Sequence, residues 1–262
     1  MVGPDPTDPV AEPAEIQSVS RAAQILRLFG PETPEITASE AAERLGLNRT
    51  TAYRYCTSLV AAGLLDRGVA PGSFVPGGLL LQVGAFALGR RKVVDLAPPF
   101  LRELSARTHL TAVLSLWGSS GPVVTRVEED STRTALVTVR VGTQLSFDTA
   151  QAKVFLAYHR DQLSIGRLLG NLPAPQRDEL SAELERVRER GYAAAVDSAG
   201  IVAVGAPVFD EHGICAAIAG VGTDRTVSTS PDSSTVRAIV DTARALSKEM
   251  GAKETGAEPP AG

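Results

Sequence analysis

The chain is poor in the residues that most often carry chemistry. Its 262 residues include 2 cysteines, 3 histidines and 1 tryptophan, and aromatic residues make up 5%. Cys56 and Cys215 lie far apart, which excludes a disulfide framework and any cysteine-based metal-ligand spacing. No apolar run reaches the ~20 residues that a bilayer-spanning helix needs. The N-terminal stretch MVGPDPTDPVAEPAE is acidic and rich in proline, the opposite of a signal peptide. A soluble, cytoplasmic protein with no membrane partner is the expectation.

Catalytic and cofactor-binding patterns are also missing. His109 ends a helix, His159 follows one and His212 sits in a turn. None stands near a serine, cysteine or carboxylate at a spacing that makes a catalytic set, so each reads as a surface or capping residue. The glycines of AGVGTDR and AAAVDSAG do not open a helix with the lysine that a phosphate loop requires. No cofactor and no metal are expected, and the reading is that the chain is not an enzyme. A net charge of −4 argues against coating nucleic acid with the whole surface but leaves room for a local basic patch.

What is present is a globular composition, 44% hydrophobic and 21% charged, on a length that suits two domains. Residues 1–14 and 252–262 read as disordered tails, because prolines and acids leave nothing to bury. From Ser18, SVSRAAQILRLFG reads as a helix with a serine cap and a stripe of Val19, Ala22, Ile25, Leu26 and Phe29. TASEAAERLGL opens with a capping box, Thr37 with Glu40, buries Ala41, Ala42 and Leu45, and stops at Gly46. A third helix runs from the Leu47-Asn48 turn to Gly63. LLDR and SFVP, around a Pro-Gly turn, form a two-stranded ribbon.

Residues 78–94 read as a linker helix, and DLAPPFLRELSART as a second helix after Asp95. From Thr111 the periodicity changes. TAVLSLW, GPVVTRVEE, TALVTVR, AAAVD, IVAVGAPVFD and CAAIAGVG read as strands. TAQAKVFLAYHR, LSIGRLLG, QRDELSAELERVRERG and SSTVRAIVDTARALSKEM read as helices. Residues 15–77 are thus taken as one domain and 95–251 as a second, mixed α/β domain with a mainly antiparallel sheet, an α+β chain overall.

The third helix carries the functional signal. In LGLNRTTAYRYCTSLVAAGLL, Ala52, Cys56 and Leu59 share a face that can pack on the first two helices. Arg49, Thr50, Thr51, Tyr53 and Arg54 crowd the exposed front end, more hydrogen-bonding groups than a core helix needs. Two helices joined by a tight turn and followed by a ribbon make a winged helix-turn-helix, whose second helix enters the major groove of double-stranded DNA. There arginine matches the paired acceptors of guanine, and hydroxyls reach phosphates or base edges. Arg67 and Ser73 flank the ribbon tip and complete the candidate DNA-binding set. A solvated helix face is the plain alternative.

These segments together resemble the IclR family of bacterial transcription regulators, over nearly the whole chain from about Val19 to Lys248. The resemblance rests on RAAQILRLF, ASEAAERLGLNRTTAYRYCTSLVAAGLL and DLAPPFLRELSARTHLTAVLSL. It continues in VGTQLSFDTAQAKVFLAY, ERVRERGYA and AVGAPVFDEHGICAAIAGVG. It implies a winged helix-turn-helix, a helical linker and a GAF-like effector-binding domain with a curved antiparallel sheet, in a dimer or dimer of dimers. By the same resemblance Thr149, Ala150, Gln151, Ala203, Ala219 and Val221 would line the small-molecule effector pocket.

Three departures from the family pattern narrow the ligand. Ala152 stands where a glycine is frequent before Lys153; the stretch after GYA keeps only Asp197 and Ser198; and Ala219, Gly220 and Val221 replace small hydroxyl residues. Losing those donors makes a buried carboxylate cost several kcal/mol, which favours an apolar, aromatic or lactone-like effector. Lys153 either faces the pocket or extends to solvent. Two alternatives stay open: a closed pocket in an effector-independent regulator, and a ligand-binding or catalytic protein whose N-terminal helices serve only for dimerisation.

Overall fold

A computed structural model describes residues 16–130, 132, 137–159, 165–166, 169–170 and 173–252. It divides into two compact units, Met1–Phe86 and Ala87–Gly262. The expected tails lie outside the described residues, Ala252 apart, as do half of LSIGRLLG and the first part of TALVTVR.

In the first unit α1 spans Gln17–Leu26, α2 Ala38–Leu45 and α3 Arg49–Ala61. The expected serine cap on α1 is not there: Ile16 occupies the cap position with no side-chain hydrogen bond. The helix begins one residue before Ser18, and Val19 is left exposed while Ile25 carries the buried contact. The capping box of α2 is formed, with the Thr37 amide donating to Glu40 Oε2 at 2.6 Å and the Glu40 amide donating to Thr37 Oγ1 at 3.3 Å. Asn48 caps α3 by accepting from the Thr50 amide at 2.8 Å.

The ribbon strands are β2, Leu65–Arg67, and β3, Ser73–Pro76. They do not stand as a pair. A short strand, β1 (Ile36–Thr37), adds to β3 with Ile36 opposite Phe74 and Thr37 opposite Ser73, giving a three-stranded sheet in the order β1-β3-β2. A two-residue strand has no readable period, so the alternation of side chains could not announce it. Its burial explains it: Ile36 joins Ile25, Ala41, Ala52, Cys56, Leu59, Leu65 and Phe74 in one core. Full burial of Leu65 and Phe74 contributes roughly 1.5–3 kcal/mol each.

A long helix, α4 (Gly78–Gly89), begins at the end of the ribbon. It has no buried residue, and Leu81, Val83 and Phe86 are exposed. Next comes α5, Lys92–Thr108, which starts ahead of the expected Asp95 and holds Pro98 and Pro99 inside it. Each interior proline removes a backbone hydrogen bond. Burial of Val93 and Val94 in the core of the second unit offsets that cost and carries the helix back to Lys92.

The second unit is built on five antiparallel strands: β4 Thr111–Trp117, β5 Pro122–Glu128, β6 Ala193–Val196, β7 Ile201–Asp210 and β8 Gly213–Thr223. Their order is β5-β4-β8-β7-β6. The chain reverses between β7 and β8 at Glu211-His212, as the spacing suggested. On one face α5 and α8 (Ser234–Glu249) pack on Ala112, Leu114, Val202, Val204, Ala216 and Ile218. On the other face α6 (Ala150–Tyr158) and α7 (Ala174–Arg190) pack through Val154, Phe155, Leu184 and Val187 against Ala193 and Ala217. TALVTVR is not a strand where it is described: residues 137–140 are irregular, and the chain beyond them runs beside β5, with Val124 N donating to the Thr143 carbonyl at 2.9 Å.

Gly77, where the ribbon leaves β3, shows how tight the first unit is. It is buried, and a Cβ there would strike the Gly63 carbonyl oxygen and the Leu64–Leu65 peptide. Both obstacles are backbone, so nothing can rotate away. Gly77→Ala is expected to destabilise this unit by about 1–3 kcal/mol, read as a lowered midpoint in urea against the unmodified chain.

Candidate functional site

The exposed front of α3 follows from how its opposite side is buried. Ala52 and Cys56 are fully buried and Leu59 nearly so, which turns Arg49, Thr50, Thr51, Tyr53 and Arg54 to solvent. Burial pushes the Cys56 thiol pKa up, so this cysteine is a packing residue rather than a nucleophile. Tyr53 remains 48% exposed. Its ring lies 6.4 Å from that of Phe74, nearly edge-on.

Arg67, on β2, closes the gap between helix and ribbon. Its guanidinium carbon is 4.8 Å from the Phe74 ring centre and 5.9 Å from that of Tyr53. Five of the seven candidate DNA-contacting residues thus share α3, and Arg67 joins them through Tyr53. Ser73 does not. It is 2% exposed, its hydroxyl donates to the Glu35 carboxylate, and its oxygen lies 2.6 Å from the Ala70 carbonyl. The expectation that Ser73 offers a hydroxyl to DNA is corrected on this point: position beside a turn is visible in sequence, but the loop folding back over its own side chain is not. Phe74, the ring that seats Arg67, stood in the sequence only as part of the SFVP strand.

The candidate ligand residues fall in the second unit. Register sets Ala203 opposite Val221, and Ala219 between Val113 and Gly205. These side chains meet Val113 and Val124 on one sheet face, partly covered by Val137, Val139 and Leu145. Ala219 is fully buried, whereas Ala203 is only partly so. Gln151 is 3% exposed, and its Nε2 donates to the Ser115 hydroxyl at 2.9 Å. Ala150 packs against Gly205. Thr149 is the cap of α6, its hydroxyl donating to the Ser146 carbonyl at 2.7 Å.

Ser115 and Thr111 were missed as members of this face. Both lie in the expected strand TAVLSLW, and both are buried with satisfied hydroxyls; Thr111 donates to the Val137 carbonyl at 2.6 Å. Lys153 points elsewhere. Its Nζ lies 3.4 Å from the Ala194 carbonyl, and it lines a separate open cleft of about 410 Å³ with Phe147, Leu180, Glu183 and Arg186. Asp197 does not offer a free carboxylate either, because its Oδ1 accepts from the Ala199 and Ile201 amides, both at 2.8 Å.

The three histidines take the minor places the sequence suggested. His212 is exposed beside Glu211, and His159 ends α6. His109 ends α5 in the left-handed conformation, φ 56°, which is strained for a side chain other than glycine. Its ring Nδ1 is 2.6 Å from Asp130 Oδ2. Hydrogen bonds from the Thr132 hydroxyl first, then from His109 and the Thr132 amide, hold the Asp130 carboxyl down at about 2. Groups of three or more acids, histidines or cysteines able to hold a metal are absent among the described residues, and no helix there is long and apolar enough to cross a membrane.

A helix-turn-helix carrying a sheet-backed wing, followed by an α/β unit with a small-residue sheet face, defines a ligand-domain DNA-binding regulator. Residues 18–68 match the IclR helix-turn-helix domain, and residues 85–248 match the C-terminal domain of bacterial IclR transcriptional regulators. The chain belongs to the IclR family. It is 29% identical to the HTH-type transcriptional regulator XynR of Escherichia coli, over 75% of this chain and 82% of that protein. A crystal structure of an IclR-type regulator from Silicibacter covers 92% of this chain and 99% of its own, at TM-score 0.78 and 23% identity. Another, an IclR homologue from Microbacterium hydrocarbonoxydans complexed with 4-hydroxybenzoate, covers 89% and 98%, at TM-score 0.68 and 21% identity. The chain is therefore a DNA-binding transcriptional regulator and not an enzyme.

The Asp130 cluster yields a pH test. A carboxyl held below its unfolded range contributes stability that is complete above about pH 4 and is lost as pH falls toward 2. Asp130→Asn is expected to flatten the acid limb of the stability curve between pH 4 and 2, followed by circular dichroism in urea at each pH. An unchanged acid limb would remove Asp130 from the account.

Proposed function

We propose that the exposed front of α3, residues Arg49, Thr50, Thr51, Tyr53 and Arg54, reads operator bases and phosphates in the major groove, with Arg67 of the wing alongside. The observation that carries this reading is the cationic group of Arg67 resting by Tyr53, so that helix and wing offer one continuous basic and hydroxyl-bearing surface. A helix N-terminus adds partial positive charge facing phosphate. The protein acts in the cytoplasm as a homo-oligomer. Its α4 helix supports that assembly, since Leu81, Val83 and Phe86 leave an apolar surface that water disfavours and a second copy would cover.

The regulatory ligand is a rather apolar or aromatic small molecule, held on the sheet face by Ala203, Ala219 and Val221, with Thr149, Ala150 and Gln151 at the start of α6. Carbon lines most of that face, with the Gln151–Ser115 pair and the Thr111 hydroxyl among its polar groups. A carboxylate buried there without charged partners would cost several kcal/mol, so any acid function must stay near water. The 4-hydroxybenzoate of the Microbacterium relative is an aromatic ligand of the class proposed. Ligand and operator then influence each other's binding by the same factor.

The test begins with duplexes selected by the full-length chain from a random pool, measured by fluorescence anisotropy against a scrambled duplex across a salt series. Specific binding should weaken with salt yet keep a gap of about 10³-fold or more over the scrambled DNA. Arg49→Ala and Arg54→Ala should each weaken specific binding by roughly 1–3 kcal/mol. Undiminished affinity in both would displace the reading face from α3. For the ligand site, Ala203→Leu should remove the response of DNA binding to aromatic acids and lactones, 4-hydroxybenzoate first, while leaving DNA affinity alone. A response that survives the larger side chain would move the ligand elsewhere.

A further inference from the structure

The wing holds an acid where an acid is least expected. Glu35 immediately precedes β1, and the pairing of Thr37 with Ser73 carries its side chain to the loop between β2 and β3. One carboxylate oxygen accepts from the Ala70 amide at 3.1 Å and from the Ser73 hydroxyl. Gly68 completes the fit, since a Cβ at that position would overlap both the Glu35 carboxylate and the Ser73 hydroxyl. The loop has little else to hold it. Val69 is 99% exposed, Ala70, Pro71 and Gly72 are exposed too, and the loop's own backbone bonds are Gly68 N to the Ser73 carbonyl at 3.0 Å and Ser73 N to the Ala70 carbonyl at 3.1 Å. With its tip exposed to water, the loop depends for its shape on these polar contacts.

A carboxylate beside a phosphate backbone repels it, so an acid on this edge should weaken DNA binding unless it does something that outweighs the repulsion. We propose that Glu35 is a positioning residue for operator binding: its carboxylate clasps the β2–β3 loop and thereby holds Arg67 in place over Phe74 and beside Tyr53. The proposal rests on the assignment of α3 and Arg67 to the DNA side. The clasp spans the fold, tying the segment that leads into α2 to the wing, so the first reading helix pair and the wing move as one body. The same donors, Ser73 foremost, hold the Glu35 carboxyl below its usual range.

Repulsion and clasp predict opposite signs, and that makes the test decisive. Full-length Glu35→Ala and Glu35→Gln are measured by anisotropy on the duplex selected by the unmodified chain, with hydroxyl-radical footprinting alongside. Glu35→Ala should weaken specific binding by about tenfold and lose the protection flanking the central footprint, because the loop and Arg67 are released. Glu35→Gln keeps a carbonyl acceptor for Ala70 and Ser73 without the charge, and should bind as tightly as the unmodified chain or more tightly. If both variants bind more tightly by the same factor, Glu35 is only a repelling acid and the proposal fails. Should Glu35→Ala not fold, judged by circular dichroism, Ser73→Ala takes its place: a loss of about threefold supports the clasp, and no loss overturns it. Arg49→Ala runs in parallel. Full affinity in it and in Arg54→Ala alike would sink the α3 assignment itself, whereas an adverse Glu35 result with either arginine variant impaired sinks the clasp alone.

Discussion

The long antiparallel pairing of β7 with β8 is the constraint from which the second unit follows. Ten successive partners, from Ile201 with Thr223 to Asp210 with Gly213, lock the two strands in one register, interrupted by a shift near Val208. A slip of β7 by one residue would exchange its two faces. Val202, Val204 and Val208 would leave the core they share with α5 and α8, and Ala203 would lose its place beside Ala219 and Val221. The core and the small-residue face are therefore specified together, by one hairpin. Strand β4 then reads its own register from β8, and the outer strands follow.

In the first unit the equivalent role falls to a piece of chain that hardly counts as an element. Ile36 and Thr37 pair with β3, and Thr37 at the same time caps α2. One residue thus ends a strand and starts a helix, which leaves no slack between the wing and the helix pair. Phe74 works from the other side of the same strand, fully buried yet offering its ring to Arg67.

Much of this was legible because it depends on local chemistry. The Thr37–Glu40 box, the Asn48 turn, the buried trio Ala52, Cys56 and Leu59, and the β7–β8 hairpin are all written within a few residues of chain. What could not be read depends on partners distant in sequence. Ser73 looks like an exposed turn hydroxyl until Glu35, far upstream, folds over it. Ser115 looks like one polar residue in an apolar strand until Gln151 finds it. Asp95 looks like the helix start and Val93-Val94 like linker, because the burial that extends α5 back to Lys92 is a property of the assembled core. Segment 137–140 alternates like a strand but has its hydrogen bonds taken up irregularly, so its period reports a covered face and not a ladder.

The division of the sheet into two faces has an evolutionary consequence. On the side covered by α5 and α8 the strands pack Leu114, Val202, Val204, Val208 and Ile218 together with Ala112, Ala206 and Ala216, and a change of one methylene there is felt as lost stability. On the other side alanines meet a handful of valines beneath an irregular covering segment. Steric room there is set by methyl groups, so single substitutions from alanine to serine, valine or glycine reshape the available space while the opposite core is untouched. Were the proposed ligand held on this face, descendants of such a chain would drift from one chemical signal to another by small steps, keeping the same skeleton.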